Sequence, residues 1–222
     1  ALIARYGPAW FRGCGTVDSP GSTLLTVSGA MTHPGVYEIG MGSTIGQALD
    51  AAGGPTGPVQ AVLVGGYGGN WLPFPSAARL RMTHRDLATV GASLGVASLV
   101  VLPTGACGLA ETARILRYLA GETAAQCGPC MFGLPAISED FTQLVPGAPR
   151  GHDTLTRLRR RLEVIGGRGA CGHPDGAVRL AGSALRAFPD DLRAHLAGRP
   201  CPGAGHPCLA LPAWEDRCGD WR

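Results

Sequence analysis

Two cysteines in Cys127-Gly128-Pro129-Cys130 stand three residues apart, a separation that lets two thiolates reach one metal ion or one iron–sulfur cluster. Pro129 suits a first helical position, so the pair falls where free backbone N–H groups and the positive end of a helix dipole stabilise thiolate charge. Two ligands are half a set, because a structural zinc or a cluster ordinarily takes four. Cys171 is the natural third ligand. It lies in the glycine-rich stretch Gly-Gly-Arg-Gly-Ala-Cys-Gly-His-Pro-Asp-Gly, residues 166 to 176, which can pass beneath the Cys127 turn. On these residues alone a cluster, a zinc site and a reversible dithiol all stay open. The dithiol is the weakest, because no βαβ unit surrounds the pair.

Other residues support smaller claims. Cys14 and Cys107 read as small buried side chains. Cys201, Cys208 and Cys218, with His206, could form a zinc site, although their spacing matches no common pattern. Gly65-Gly66-Tyr67-Gly68-Gly69-Asn70-Trp71 invites a phosphate-loop reading, but no Gly-Lys-Ser/Thr follows, and tight-turn packing explains it better. Arg157, Arg159, Arg160 and Arg161 read as one solvated helix face, with an acidic partner's docking patch as the alternative.

These residues must be positioned by a chain that is 45% apolar and only 16% charged, with 35 glycines and 18 prolines, a composition of short elements and many turns around a real core. All 19 basic residues are arginine, which a GC-rich coding bias explains, and a net charge of +3 is too small and scattered to argue for nucleic acid. The longest apolar run, 96 to 102, is far short of the roughly 18 residues of a membrane helix. A secretory leader is not evident, so the eight cysteines are expected to be cytoplasmic thiols.

The pattern predicts a hairpin over 23 to 39 turning at Pro34-Gly35, a short helix from Thr44 to Ala52 capped by Ser43, and strands at 59 to 64 and 99 to 102. That is an α+β unit of β-grasp type. From Leu109 the period becomes helical: Leu109, Ala113, Leu116 and Ala120 share a face, with Glu111, Arg114 and Arg117 elsewhere on the wheel. Further helices are expected from near Pro129, from Asp153 to Ile165 with Asp153 as cap, and over 176 to 197 with a break near Pro189. The expected organisation is a lead-in over 1–22, a β-grasp-like domain over 23–104, a helical bundle carrying the cysteines over 105–199, and a loose tail over 200–222.

The run from Cys107 to Cys130 resembles the cluster-binding region of the NADH-binding flavoprotein subunit of respiratory complex I and of related NAD-linked hydrogenases and formate dehydrogenases. That family carries Glu-Ser-Cys-Gly-x-Cys-x-Pro-Cys-Arg, over which residues Glu122 to Met131 lie without a gap, while Cys171, Pro174, Gly176, Ala177 and Val178 lie over a later part holding a fourth cysteine. Val27-Ser28-Gly29 and Pro34-Gly35-Val36-Tyr37 are similar to its soluble ligand-binding β-grasp domain.

The resemblance implies that Cys127, Cys130 and Cys171 hold a 4Fe-4S or 3Fe-4S cluster, with Ala124 standing where the family has its remaining ligand. Cys107, His173 or Glu122 could substitute, a loop-stabilising role being the simpler reading of His173. It also implies electron transfer from flavin mononucleotide, reduced by NADH in a half outside these residues, to a ferredoxin or another iron–sulfur protein. The protein would be cytoplasmic or peripheral to a membrane complex, with no direct membrane insertion. The chain starts at Ala1 at a point that resembles mid-protein in the family, and without the flavin half it would not transfer hydride. A zinc-stabilised or metal-free interaction module that has lost the cluster is the competing reading.

Overall fold

Leucine and valine alternate with polar residues over Ser22–Gly29, and this strand, β1, returns through the Pro34 turn as β2, Gly35–Gly40, with Leu25 opposite Tyr37. The structure, a computed structural model, describes residues 1–146 and 153–212. Ahead of the hairpin stands an unexpected helix, α1, Leu2–Arg12, broken at Gly7, where φ is +82°. None of its residues is buried, and Leu2, Ile3, Tyr6 and Trp10 all face outward.

Helix α2, Ile45–Ala51, is capped by Thr44, not by Ser43. The reason is reciprocity: Thr44 Oγ1 accepts from the Gln47 N–H at 3.1 Å while Gln47 Oε1 accepts from the Thr44 N–H at 2.9 Å. Ser43 has Gly46 three residues on, which has no side chain to return the bond. Next come β3, Val59–Val64, and β4, Asn70–Pro73, so the glycine stretch is mainly the turn of a second hairpin. A six-residue helix, α3, His84–Thr89, precedes β5, Ser98–Pro103.

The sheet order is β2-β1-β5-β3-β4, with β1 and β5 parallel at its centre and the other pairs antiparallel, a β-grasp arrangement. One face buries Leu25, Val27, Val62, Val64, Leu99 and Val101 against α2 and α3. The opposite face, through Ala61, Leu63, Trp71, Val100 and Leu102, packs on the helical half of the chain. Burial on both faces explains why β3 and β5 read as nearly continuous apolar runs.

That helical half contains α4, Gly108–Gly121; a wide π turn, Pro129–Gly133; α5, Leu134–Thr142; α6, Thr154–Ile165; α7, His173–Ala187; and α8, Pro189–Leu196. Leu109, Ala113 and Leu116 are buried as the period predicts, while Asp153 precedes α6 without a side-chain cap bond. Trp71 joins the halves. Its backbone N–H donates to Ser183 Oγ on α7 at 3.0 Å, its indole N–H donates to Thr112 Oγ1 on α4 at 2.9 Å, and its ring meets Phe188 edge-on at 5.4 Å. Beside it the glycine stretch lies against α7, where a Cβ on Gly68 would come within 3.2 Å of Gly176 Cα, so two glycines permit the close approach.

Two expectations fail here. Glu111, placed by the helical wheel away from the apolar stripe, is 2% exposed. The tail is not loose up to residue 212: a 3-10 turn forms over Pro202–Gly205 and Leu209 is buried. Both have one cause, because the tail lies along α4 and covers Glu111, whose Oε1 accepts the Cys208 N–H at 2.8 Å. Arg114 donates to the Leu209 carbonyl and the Tyr67 hydroxyl to that of Ala210. No helix among the described residues is long and apolar enough to cross a membrane.

Candidate iron–sulfur site

The chain leaves α4 at Glu122 and runs without regular structure to Cys127, whose carbonyl then accepts from the Met131 N–H at 2.9 Å as the π turn begins with Pro129 at its start. This turn directs Cys130 into the core, 5% exposed, while Cys127 stays half-buried and Met131 and Phe132 face solvent. The loop before α7 comes to meet it. Asp175 reaches back to accept the Gly167 N–H at 2.7 Å, and His173 Nε2 lies 2.9 Å from the Leu119 carbonyl, tying the first turn of α7 to the last turn of α4. His173 thus has the loop-stabilising role.

The electrostatics follow from this folding. The Cys127 thiol is drawn below its ordinary value, first by the backbone N–H of Ala170 in the Cys171 loop and then by that of Cys130. At Cys130 the Thr123 hydroxyl acts downward, but burial and the neighbouring Cys127 and Cys171 thiols outweigh it and the net shift is upward. Cys127, Cys130 and Cys171 therefore share one neighbourhood, with Thr123, next to Ala124, at its edge. Cys171 itself is exposed.

Three thiols, with backbone N–H groups near enough to Cys127 to favour its thiolate, are donors of the kind a cluster takes. Ala124, beside Thr123, offers no thiolate. Cys107 does not replace it, since the 14 residues of α4, about 21 Å at 1.5 Å per residue, separate Cys107 from the loop that follows.

Beside the site a cleft of about 640 Å³ is lined by Pro129, Phe132, Ala136, Arg157, Arg160 and Arg161. The arginines are only partly the solvated face read from sequence. Arg157 and Arg161 both bind Asp140, which is 1% exposed, Arg157 through Nε at 2.9 Å and Nη2 at 2.6 Å on one oxygen and Arg161 on the other, and this clamps α6 to α5. Arg159 and Arg160 are exposed.

Residues 102–195 match the model of the NADH-ubiquinone oxidoreductase-F iron-sulfur binding region, and residues 24–69 match the SLBB domain. The chain thus carries an iron-sulfur binding region of the NADH-ubiquinone oxidoreductase-F type and an SLBB domain. The F 2 subunit of Rhizobium meliloti NADH-quinone oxidoreductase is 32% identical over 90% of this chain and 48% of its own, and the F subunit of the Streptomyces coelicolor enzyme is 30% identical over 97% and 47%. The chain thus spans about half the length of these relatives. An NAD+-reducing nickel–iron hydrogenase in its hydrogen-reduced state superposes with a TM-score of 0.77 at 28% identity, over 87% of this chain and 33% of that one.

A second group of ligand-type residues escaped sequence reasoning. Cys107, His195 and Cys201 bring one ligand atom each to within 4.8 Å of one another, at the other end of α4 from Cys127 and Cys130. Burial pushes the Cys107 thiol up to about 12, against the downward pull of the Ala110 N–H. Of the tail residues read as a possible zinc site, Cys201 lies beside Cys107 and the His206 Nδ1 lies 2.9 Å from the carbonyl of Pro202. Cys14, expected to be buried, is exposed, and Cys218 lies outside the described residues.

Proposed function

We propose that this chain is the iron–sulfur and SLBB portion of an NADH-dependent flavoprotein, in which Cys127, Cys130 and Cys171 hold a cluster that relays electrons from flavin to a downstream iron–sulfur carrier. When bound, the cluster supplies one-electron redox capacity that hydride chemistry lacks. The observation that carries the reading is the folding of the Cys171 loop toward the Cys127 turn, tied by His173 to the Leu119 carbonyl at 2.9 Å, so that the Ala170 N–H lowers the Cys127 thiol and the Cys127 and Cys171 thiols raise that of Cys130. Cys130 supplies a thiolate from the core side and screens it from water, while Thr123 and the two backbone N–H groups offset thiolate charge. In this reading flavin and NADH are bound by a half outside these residues, and the exposed Met131, Phe132 and the arginine-lined cleft provide a surface that a carrier can approach.

Anaerobic purification followed by iron and sulfide analysis tests this. About three or four irons per chain with matching sulfide and broad visible absorption are expected, and Cys130→Ser is expected to lose nearly all of both. Ala124→Cys, at an exposed position, is expected to raise iron toward four and lengthen survival in air. Colourless protein after reconstitution with iron and sulfide overturns the proposal, and bound zinc at these cysteines would establish the interaction-module reading instead.

A further inference from the structure

We infer that Cys107, His195 and Cys201 form a second metal site, a buried zinc staple independent of the iron–sulfur reading. The His195 ring is 1% exposed, and its Nδ1 lies 3.0 Å from the Leu144 carbonyl. A carbonyl only accepts, so Nδ1 carries the proton and Nε2 presents its lone pair, the tautomer and orientation of a metal-bound histidine held from behind. Nε2 points at the Cys107 Sγ, 3.7 Å away.

Tetrahedral zinc, with bonds of about 2.3 Å to sulfur and 2.0–2.1 Å to nitrogen, separates its ligand atoms by about 3.6 Å for sulfur and nitrogen and about 3.8 Å for two sulfurs. The observed separation of 3.7 Å fits that span, and the Cys201 sulfur lies within 4.8 Å of both atoms. Charge fits as well. Two thiolates and a neutral imidazole neutralise a dication, which suits a site where Cys107 and His195 are 2% and 1% exposed. The Ala110 N–H, 3.4 Å from the Cys107 Sγ, supplies the hydrogen bond a bound thiolate takes from its surroundings. A water molecule completes the four ligands.

The ligands come from three places: the N-cap of α4, the last turn of α8 and the start of the tail. One ion there would fasten the tail where it begins its run along α4. With two of its three protein ligands buried and each drawn from a different element, the ion's part there is to hold structure.

The test uses the full chain, purified anaerobically and passed over a mild chelating resin before elemental analysis. About one zinc per chain is expected, and Co2+ in its place is expected to give the intense visible bands of a tetrahedral thiolate site. Cys201→Ser, a near-isosteric change at a half-buried position, is expected to weaken Co2+ binding by at least about tenfold, with the iron content unchanged. Cys127→Ser is expected to lose iron and keep zinc. The inference is overturned if the wild-type chain binds neither zinc nor Co2+, if zinc persists in Cys201→Ser or departs with Cys127→Ser, or if mass spectrometry of the unreduced protein finds a Cys107–Cys201 disulfide. Circular dichroism of Cys201→Ser separates ligand loss from misfolding, and the Co2+ titration of the wild-type chain decides the matter without any variant. Absence of iron would sink only the electron-relay reading.

Discussion

Cys107 and Cys130 are both buried, at 2% and 5% exposure, yet the regions they belong to are built differently. Cys130 sits in a wide turn next to a half-buried thiol, an exposed one and an arginine-lined cleft. Cys107 caps a helix and faces an imidazole oriented from behind, in a closed interior. An electron carrier has to bring its cofactor near a surface that a partner can approach, whereas a structural ion is safest where nothing can reach it. The same ligand type thus stands in opposite surroundings, and what distinguishes the two regions is the company each thiol keeps.

The largest effect after loss of the ligands themselves is expected at Trp71, because it underlies both regions. Trp71→Ala removes a fully buried ring, its edge contact with Phe188 and the indole N–H that donates to the Thr112 hydroxyl, which should cost about 3–5 kcal/mol. A fall in melting temperature of about 10 °C follows for a domain of this size, read by circular dichroism. Both metal contents should fall together. If only one falls, the two regions do not share Trp71 as a foundation.

A change at Asp140 should separate them. Asp140→Ala leaves Arg157 and Arg161 without their carboxylate and loosens α6 on α5 beside the cleft that Pro129 also lines, whereas His195 is held by the Leu144 carbonyl, four residues further along, and not by α6. Both guanidiniums keep about a third or more of their surface in water, so the loss should be about 2 kcal/mol, below that of a fully buried pair. The measurement is retention of iron and zinc during a mild thermal challenge, with faster loss of iron alone expected. Equal loss of both metals would show the clamp to be global.

The sequence is legible where the signal is local. Alternation located β1 and β2, apolar runs located β3 and β5, and the spacing of Cys127 and Cys130 singled out the turn that is proposed as a cluster site. β4 was hidden because it has four residues and follows a stretch of glycines that reads as a loop. Helix α3 has only six residues, although Thr83 capping Asp86 was a readable start. The Cys107 group could not be read from spacing, because its members lie 88 and 6 residues apart and only the packing of α8 on α4 brings them together. Division of the chain near residue 104 captures the change of period but passes through a continuous core, in which Val100 and Leu102 pack with Leu109 and Leu180.

Glu111 offers the smallest and most local test, because it bears on the tail alone. Its buried carboxylate accepts from Arg114 at 2.6 Å and from the Cys208 N–H, so one side chain neutralises an arginine and anchors the strap that covers it. Glu111→Gln keeps the shape but weakens a charge-assisted pair, and about 1 kcal/mol is expected. Hydrogen exchange should therefore quicken over residues 201–212 with little change in the core. If zinc fastens the start of this segment at Cys201, quickening should be confined to the stretch beyond it, around Cys208 to Leu211, and spread back to Cys201 only when the metal is stripped. Exchange that spreads along the whole tail with zinc in place would mean that Glu111, and not the ion, holds it.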